Sequence, residues 1–164
     1  MNIRAATPED IPFIIELERV SPTAAHWSEP QYQQAVSQTD SSDRIALLAE
    51  TPAGISASDQ TLLPCCIIGF LVARRVGPEW ELENIVVASQ ARGRGLGKRL
   101  LDALIVHAKN LDGVSVLLEV RESNTAARRL YEKAGFRQNA RRASYYKEPT
   151  EDAILYVLAL NALE

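Results

Sequence analysis

Apolar residues recur along this chain with two different periods. Between 96 and 110, Leu96, Leu100, Leu101, Leu104, Ile105 and Ala108 return at intervals of three and four, one face of a helix. The runs "RIALLAE" (44–50), "CCIIGFLVARRV" (65–76) and "VSVLLEV" (114–120) are near-continuously apolar and bounded by turn residues, as buried strands are. "WELENIVVA" (80–88) begins in alternation and ends as an apolar run, again a strand. "NIRAA" (2–6) reads as a short strand. Thr7 as cap, Pro8 at the first helical position and acidic Glu9 and Asp10 then open a helix with Phe13, Leu17 and Val20 on one face, Pro12 falling in its first turns. Ser28, Pro30 and Gln31 repeat the helix-start signature after a loop, "SPTAAHW", that carries Trp27. "SNTAARRLYEKAG" is a further helix, with Asn124 near its cap and Gly135 at its stop. "FRQNARRASYYK" and "AILYVLAL" close the chain as two strands joined by a polar loop with Pro149. Residues 51–64, rich in Thr, Ser, Gly and Pro, read as a long hairpin loop.

The order is β-α-α-β-β-β-α-β-α-β-β. Antiparallel hairpins come first, then one βαβ crossover, then a closing hairpin. No repeat or linker divides it, so residues 1–164 are expected to form a single mixed α/β domain with helices on both faces of the sheet.

Composition narrows the function. With 46% hydrophobic and 24% charged residues the chain has an ordinary globular balance. No apolar run reaches the roughly 20 residues that span a bilayer. The start, "MNIRAATPED", lacks a signal-peptide core, which predicts a cytoplasmic protein without a membrane partner. The net charge of -3 argues against general nucleic-acid binding. Cys65 and Cys66 are expected as buried strand residues. His26 and His107 have no partner at ligand spacing, so no metal is expected.

One segment carries chemistry. "SQARGRGLGKRLL" (89–101) follows a strand and opens a helix. Helix starts offer unpaired N–H groups and a positive dipole end. Gly93, Gly95 and Gly97 bare the backbone, and Arg92, Arg94 and Lys98 add charge, as a pyrophosphate cradle requires. A Walker loop is excluded, because Gly97-Lys98 is followed by Arg99. A dinucleotide fold would need G-x-G-x-x-G. Glu119, about 22 residues on, suits its ribose rule, but the hairpins before the segment do not suit that fold.

The segment Arg92-Gly93-Arg94-Gly95-Leu96-Gly97 also fits R/Q-x-x-G-x-G/A. With "WSE" (27–29), "NIVV" (84–87), "LLEVRESNTAARRLYEKAGF" (117–136) and "RRASYY…EDAILYVLAL" (141–160), it resembles the GNAT superfamily of N-acetyltransferases, and within it the RimI family of ribosomal-protein N-terminal alanine acetyltransferases. The departures are the longer loop at 51–64 and Ala88-Ser89 where a proline commonly follows the strand.

The resemblance implies a mostly antiparallel sheet splayed between the strands at 80–88 and 114–120, the fourth and fifth of that fold. It implies acetyl-CoA as cosubstrate, no metal, and direct attack by a primary amine. Ile85, Val86 and Val87 would pair with the pantetheine arm, residues 92–98 (Leu96 among them) would hold the pyrophosphate, and Asn124 would bond the arm. Glu119, a carboxylate interrupting an apolar strand where partial desolvation would raise its pKa, would be the base. Tyr131, seven residues after Asn124 on the same helix face, would be the acid. Glu83 is the rival base. Trp27, Tyr145, Tyr146 and the loop at 147–152 would wall the acceptor groove, and Glu79, Glu81 and Glu83 suit a basic peptide. The implied acceptor is the basic N-terminus of a ribosomal protein. A small amine, a lysine side chain, or a non-catalytic CoA- or dinucleotide-binding role stay open beside it.

Overall fold

The structure is a computed structural model; it describes residues 1–39, 41–52 and 66–160, and the backbone of 54–55 and 62–63. The strands are β1 (Asn2–Ala5), β2 (Arg44–Glu50), β3 (Gly54–Ile55), β4 (Leu62–Leu63), β5 (Ile67–Val76), β6 (Glu79–Val87), β7 (Ser115–Arg121), β8 (Arg137–Lys147) and β9 (Thr150–Ala159). The helices are α1 (Ile11–Arg19), α2 (Glu29–Ser37), α3 (Leu96–Asn110) and α4 (Thr125–Lys133). Seven strands form one sheet in the order β1-β2-β5-β6-β7-β9-β8, and β3 pairs only with β4. All neighbours in the sheet run antiparallel except β6 and β7, the pair joined through α3.

The two faces have separate cores. Leu96, Leu100, Leu101, Leu104 and Ala108 of α3 pack with Trp80, Leu82, Val116 and Leu118 on one face. On the other, Ile11 and Ile14 of α1 and Tyr32, Ala35 and Val36 of α2 pack on Leu48, Phe70, Val72 and Val86.

Several expectations need correction. A 3-10 turn, Pro8–Asp10, precedes α1, whose buried face is Ile11, Ile14 and Glu18, while Phe13 and Val20 are exposed. Two interleaved apolar series fit the helical period, and the sheet takes the other one. Cys66 is exposed and lies before β5, its backbone tied to Thr51; Cys65 and most of the 51–64 loop fall outside the described residues. The segment 147–152 is mostly strand, with only Glu148 and Pro149 between β8 and β9.

The feature that shapes the sheet is an extra residue in β6. Against β5, Ala73 pairs with Leu82 and Val72 with Asn84, which leaves Glu83 as a bulge. Buried positions still alternate through β6, but they change face there: Trp80 and Leu82 join the α3 core, Val86 the α1–α2 core. The bulge is fastened by an ion pair, since one terminal nitrogen of Arg44 reaches both Glu83 oxygens at 2.9 and 2.7 Å with both side chains largely buried.

Burial pushes the Glu83 carboxyl up and Arg44 draws it back. A carboxyl raised above its unfolded value favours folding while protonated, and loses that advantage as pH rises through the folded value. Arg44→Met is therefore expected to lower stability relative to the parent by an amount that grows from about pH 4 to about pH 8. Denaturant melts across that range check it, and a pH-independent difference contradicts it. At Gly69 a Cβ would lie 2.9 Å from the Val86 carbonyl oxygen of β6. Gly69→Ala should lower the melting temperature by about 3–10 °C, read by thermal unfolding.

Candidate active site

β6 and β7 pair from Glu79–Ser115 to Leu82–Leu118 and no further. Beyond the Glu83 bulge the two strands diverge, so the edge of β6 from 83 to 87 and that of β7 from 119 to 121 have no ladder between them. Buried backbone N–H and C=O groups need partners, so a gap of this kind suits an occupant with amide groups of its own. A cavity of about 750 Å³ opens there. Its walls include Glu83, Ile85, Val86 and Val87 from β6, Glu119 from β7, and Asn124 and Tyr131 from the α4 segment.

The glycine segment forms the cavity's mouth, with Arg92, Gly93, Gly95, Leu96, Gly97 and Lys98 in its lining. Gly93 and Gly95 adopt φ of +74° and +77°, and a Cβ at either would touch nothing. Their need is conformational: the chain must turn left-handed to bring the start of α3 to the mouth. Gly97 has another reason, for its Cβ would meet Leu130 of α4 at 2.8 Å, so it lets α3 and α4 approach closely. The first α-helical bond of this turn runs from the Arg99 N–H to the Gly95 oxygen, leaving the N–H groups of Leu96, Gly97 and Lys98 ahead of it. Arg92 donates to the Val87 carbonyl at 3.0 Å, and Lys98 pairs with Asp102 at 2.6 Å. Arg94 is exposed and absent from the lining.

Glu119 and Tyr131 border the same cavity but in unlike surroundings. Glu119 lies on the β7 face opposite α3, its side chain about a quarter exposed, 2.8 Å from Arg142. Its charge also raises the Tyr145 phenol. Tyr131 is buried, within ring-contact distance of Phe136 and Tyr156. Burial, with a smaller effect of Tyr146, pushes its phenol up, so it keeps its proton at neutral pH. Asn124 caps α4, its side-chain oxygen accepting from the Ala127 N–H at 3.2 Å.

The other expected acceptor residues divide. Tyr146 lines the cavity, its ring 4.1 Å from the Arg121 guanidinium carbon. Tyr145 stands outside, edge-on to Tyr146 and 46% exposed. Trp27 is also outside the lining, packed on Tyr32 with its ring centroid 5.3 Å away.

Several residues beyond the expected site residues also border the cavity. Arg129 and Lys133 of α4 line the cavity; their spacing of four, on a helix that follows the glycine segment, was the available signal. Ser21 and Thr23 to His26, in the loop between α1 and α2, also line the cavity. Among the described residues no group of His, Cys, Asp and Glu side chains is arranged to hold a metal.

Comparison with known proteins agrees with this geometry. Residues 15–136 match the Acetyltransferase (GNAT) family. A [ribosomal protein bS18]-alanine N-acetyltransferase of Haemophilus influenzae is 44% identical over 84 residues, covering 51% of this chain and 57% of that relative. The match therefore spans little more than half of the relative's length. The crystal structure of the ribosomal-protein-S18-alanine N-acetyltransferase from Escherichia coli superposes with a TM-score of 0.73 at 27% identity, covering 99% of this chain and 96% of that one. NAA60 of Arabidopsis thaliana, solved with acetyl-CoA, shares the fold at a TM-score of 0.80 and 20% identity, covering 98% and 99%. The family match over most of the chain, on a sheet that parts between its two parallel strands, makes this protein a member of the GNAT acetyltransferase family.

Proposed function

We propose that this protein is an N-acetyltransferase that moves an acetyl group from acetyl-CoA to a primary amine, and that the amine is the N-terminal α-amine of a ribosomal protein of the S18 type. The observation that carries the reaction is the parting of β6 and β7 beyond Leu82 and Leu118, over a cavity that gathers the glycine segment, Glu119 and Tyr131. The acceptor rests on the names of the relatives. Residues 1–164 would act as one domain.

The residues present fit acetyl-CoA. The 83–87 edge of β6 offers backbone groups to the amides of a pantetheine arm. The N–H groups of Leu96, Gly97 and Lys98, with Arg92, would hold the pyrophosphate, and Asn124 would bond the arm. When bound, the thioester supplies the acetyl group: the amine nitrogen bonds to its carbonyl carbon, the carbon–sulfur bond breaks, and the thiol leaves.

Two protons must move. An α-amine has a pKa of about 7.7–8.0, so a large share arrives as ammonium and must lose a proton before it attacks. Glu119 takes it. Glu83 is less suited, since both its oxygens already face Arg44 in a buried pair, whereas Glu119's partner Arg142 is half exposed. An incoming ammonium can replace that guanidinium, because the half-exposed Arg142 can turn out into water while the carboxylate keeps a cation beside it. Tyr131 protonates the departing sulfur, its buried phenol having been kept protonated until then.

Peptides beginning with alanine and carrying basic residues are expected to release CoA from acetyl-CoA. Turnover confined to polyamines or free amino acids would replace this acceptor with a small amine, and CoA binding without transfer to any amine would leave a non-catalytic module. Glu119→Gln should lower kcat/KM by about 10²-fold, most severely at low pH where ammonium dominates. Tyr131→Phe should lower kcat by at least about tenfold while the acetyl-CoA Kd stays within about twofold. Full activity in both variants would sink these roles.

A further inference from the structure

Glu18 of α1 is a carboxylate that the reaction above does not use, and it is only 2% exposed. No ion pair among the described residues includes it. A buried carboxylate without a cation is costly unless hydrogen-bond donors surround it. Here they come from three elements. The Trp27 N–H, at the end of the α1–α2 loop, reaches Oε1 at 3.1 Å and Oε2 at 3.0 Å. The Asn84 side-chain amide donates to Oε1 at 2.9 Å, and the Tyr32 hydroxyl of α2 bonds the same carboxylate. Asn84 also reaches the Tyr32 oxygen at 3.0 Å, so the network is closed on itself.

Each donor marks a part of the candidate site. Asn84 is the residue after the β6 bulge and lines the cavity. Trp27 ends the loop whose residues Ser21 and Thr23 to His26 line the cavity. An apolar side chain of similar size would fill the Glu18 site with no charge to desolvate, and such replacements often leave stability unchanged or higher. Packing alone therefore does not ask for a carboxylate; holding a loop N–H and a strand amide at one distance does.

We propose that Glu18 is a positioning residue that pins the α1–α2 loop to β6 and so sets the width of the acceptor side of the cavity. This rests on the acetyltransferase reading above and adds to it that the amine enters between that loop and β7 while the cofactor occupies the glycine side. The clamp holds β6 through the Asn84 side chain and not through the backbone groups offered to the pantetheine arm, so acceptor and cofactor should respond differently to its loss.

In Glu18→Gln one oxygen acceptor becomes an amide donor that faces the Asn84 amide. The acceptor-peptide KM is expected to rise about tenfold or more, kcat to change by less than about threefold, and the acetyl-CoA Kd to stay within about twofold. The Trp27 amide should exchange with solvent deuterium at least about tenfold faster. Combining Glu18→Gln with Asn84→Asp moves the charge across the contact: the new amide's oxygen accepts from Trp27 and its NH₂ donates to the new carboxylate. That pair should return Trp27 protection and bring the acceptor KM to within about threefold of the parent. It also carries the test if the single variant does not fold. An unchanged acceptor KM in a variant with a deprotected Trp27 amide overturns the proposal, as does a parallel loss of acetyl-CoA affinity. Failure of the charge swap to restore either readout does the same. Amide exchange and acetyl-CoA binding need no turnover, so a Trp27 amide still protected in Glu18→Gln refutes the clamp even if no peptide is acetylated.

Discussion

Two parallel strands that begin paired and end apart impose the central constraint on this molecule. Four residue pairs hold β6 to β7, from Glu79–Ser115 to Leu82–Leu118, and then the ladder stops in the middle of the sheet. A break at that place would ordinarily strand backbone groups away from water. The chain accommodates it with one extra residue, Glu83, which bends β6 and exchanges the faces its side chains serve. With that one residue go the change of core along β6, the end of the ladder at the cavity, and the need for Arg44 to compensate a carboxylate buried at the bend.

The mouth of that cavity shows how one short sequence meets two demands. Three glycines at alternate positions suggest one purpose, a backbone bared to an anion. Gly93 and Gly95 have open space where a side chain would stand, and what they supply is a left-handed turn. Gly97 is confined by Leu130, and what it supplies is close packing of α3 on α4. The second effect serves the first, because α4 carries Asn124, Arg129 and Tyr131 and must lie near the helix start for one cavity to hold all of them.

How much of this was legible in the sequence depended on how much each element's own pattern decides. β2 was read over its whole length because both its faces are buried and its apolar run has sharp ends. α3 was read from its single apolar stripe. α1 offered two stripes, and Phe13–Leu17–Val20 was the more hydrophobic of them. The sheet instead takes Ile11, Ile14 and Glu18, with Leu17 half-buried beside them, and Glu18 finds donors there that belong to other elements. Cys66 read as strand because it adjoins an apolar run, but the ladder begins at Ile67. The bulge was illegible because buried and half-buried residues alternate without interruption through it. At the site, Glu119 stood out as the one charge inside an apolar strand. Glu18 did not, since a glutamate in an amphipathic helix reads as solvent-facing unless its donors are known.

Three carboxylates in or beside the site thus differ by what neutralises each. Glu83 has a buried guanidinium, Glu18 has neutral N–H and O–H donors, and Glu119 has a guanidinium open to water. Removing a partner from a buried charge costs several kcal/mol, of the order of 3–5, whereas an exposed pair contributes about 0–1. The first two carboxylates are therefore fixed parts of the frame. The third is the only one of the three whose partner can be exchanged cheaply for an incoming cation. On the proposed function, an ammonium arriving on the acceptor side would meet two groups held in place and one available to it. The same sequence letter is held fast at 18 and 83 and left exchangeable at 119 because its neighbours, not its own chemistry, set how readily its charge can be shared.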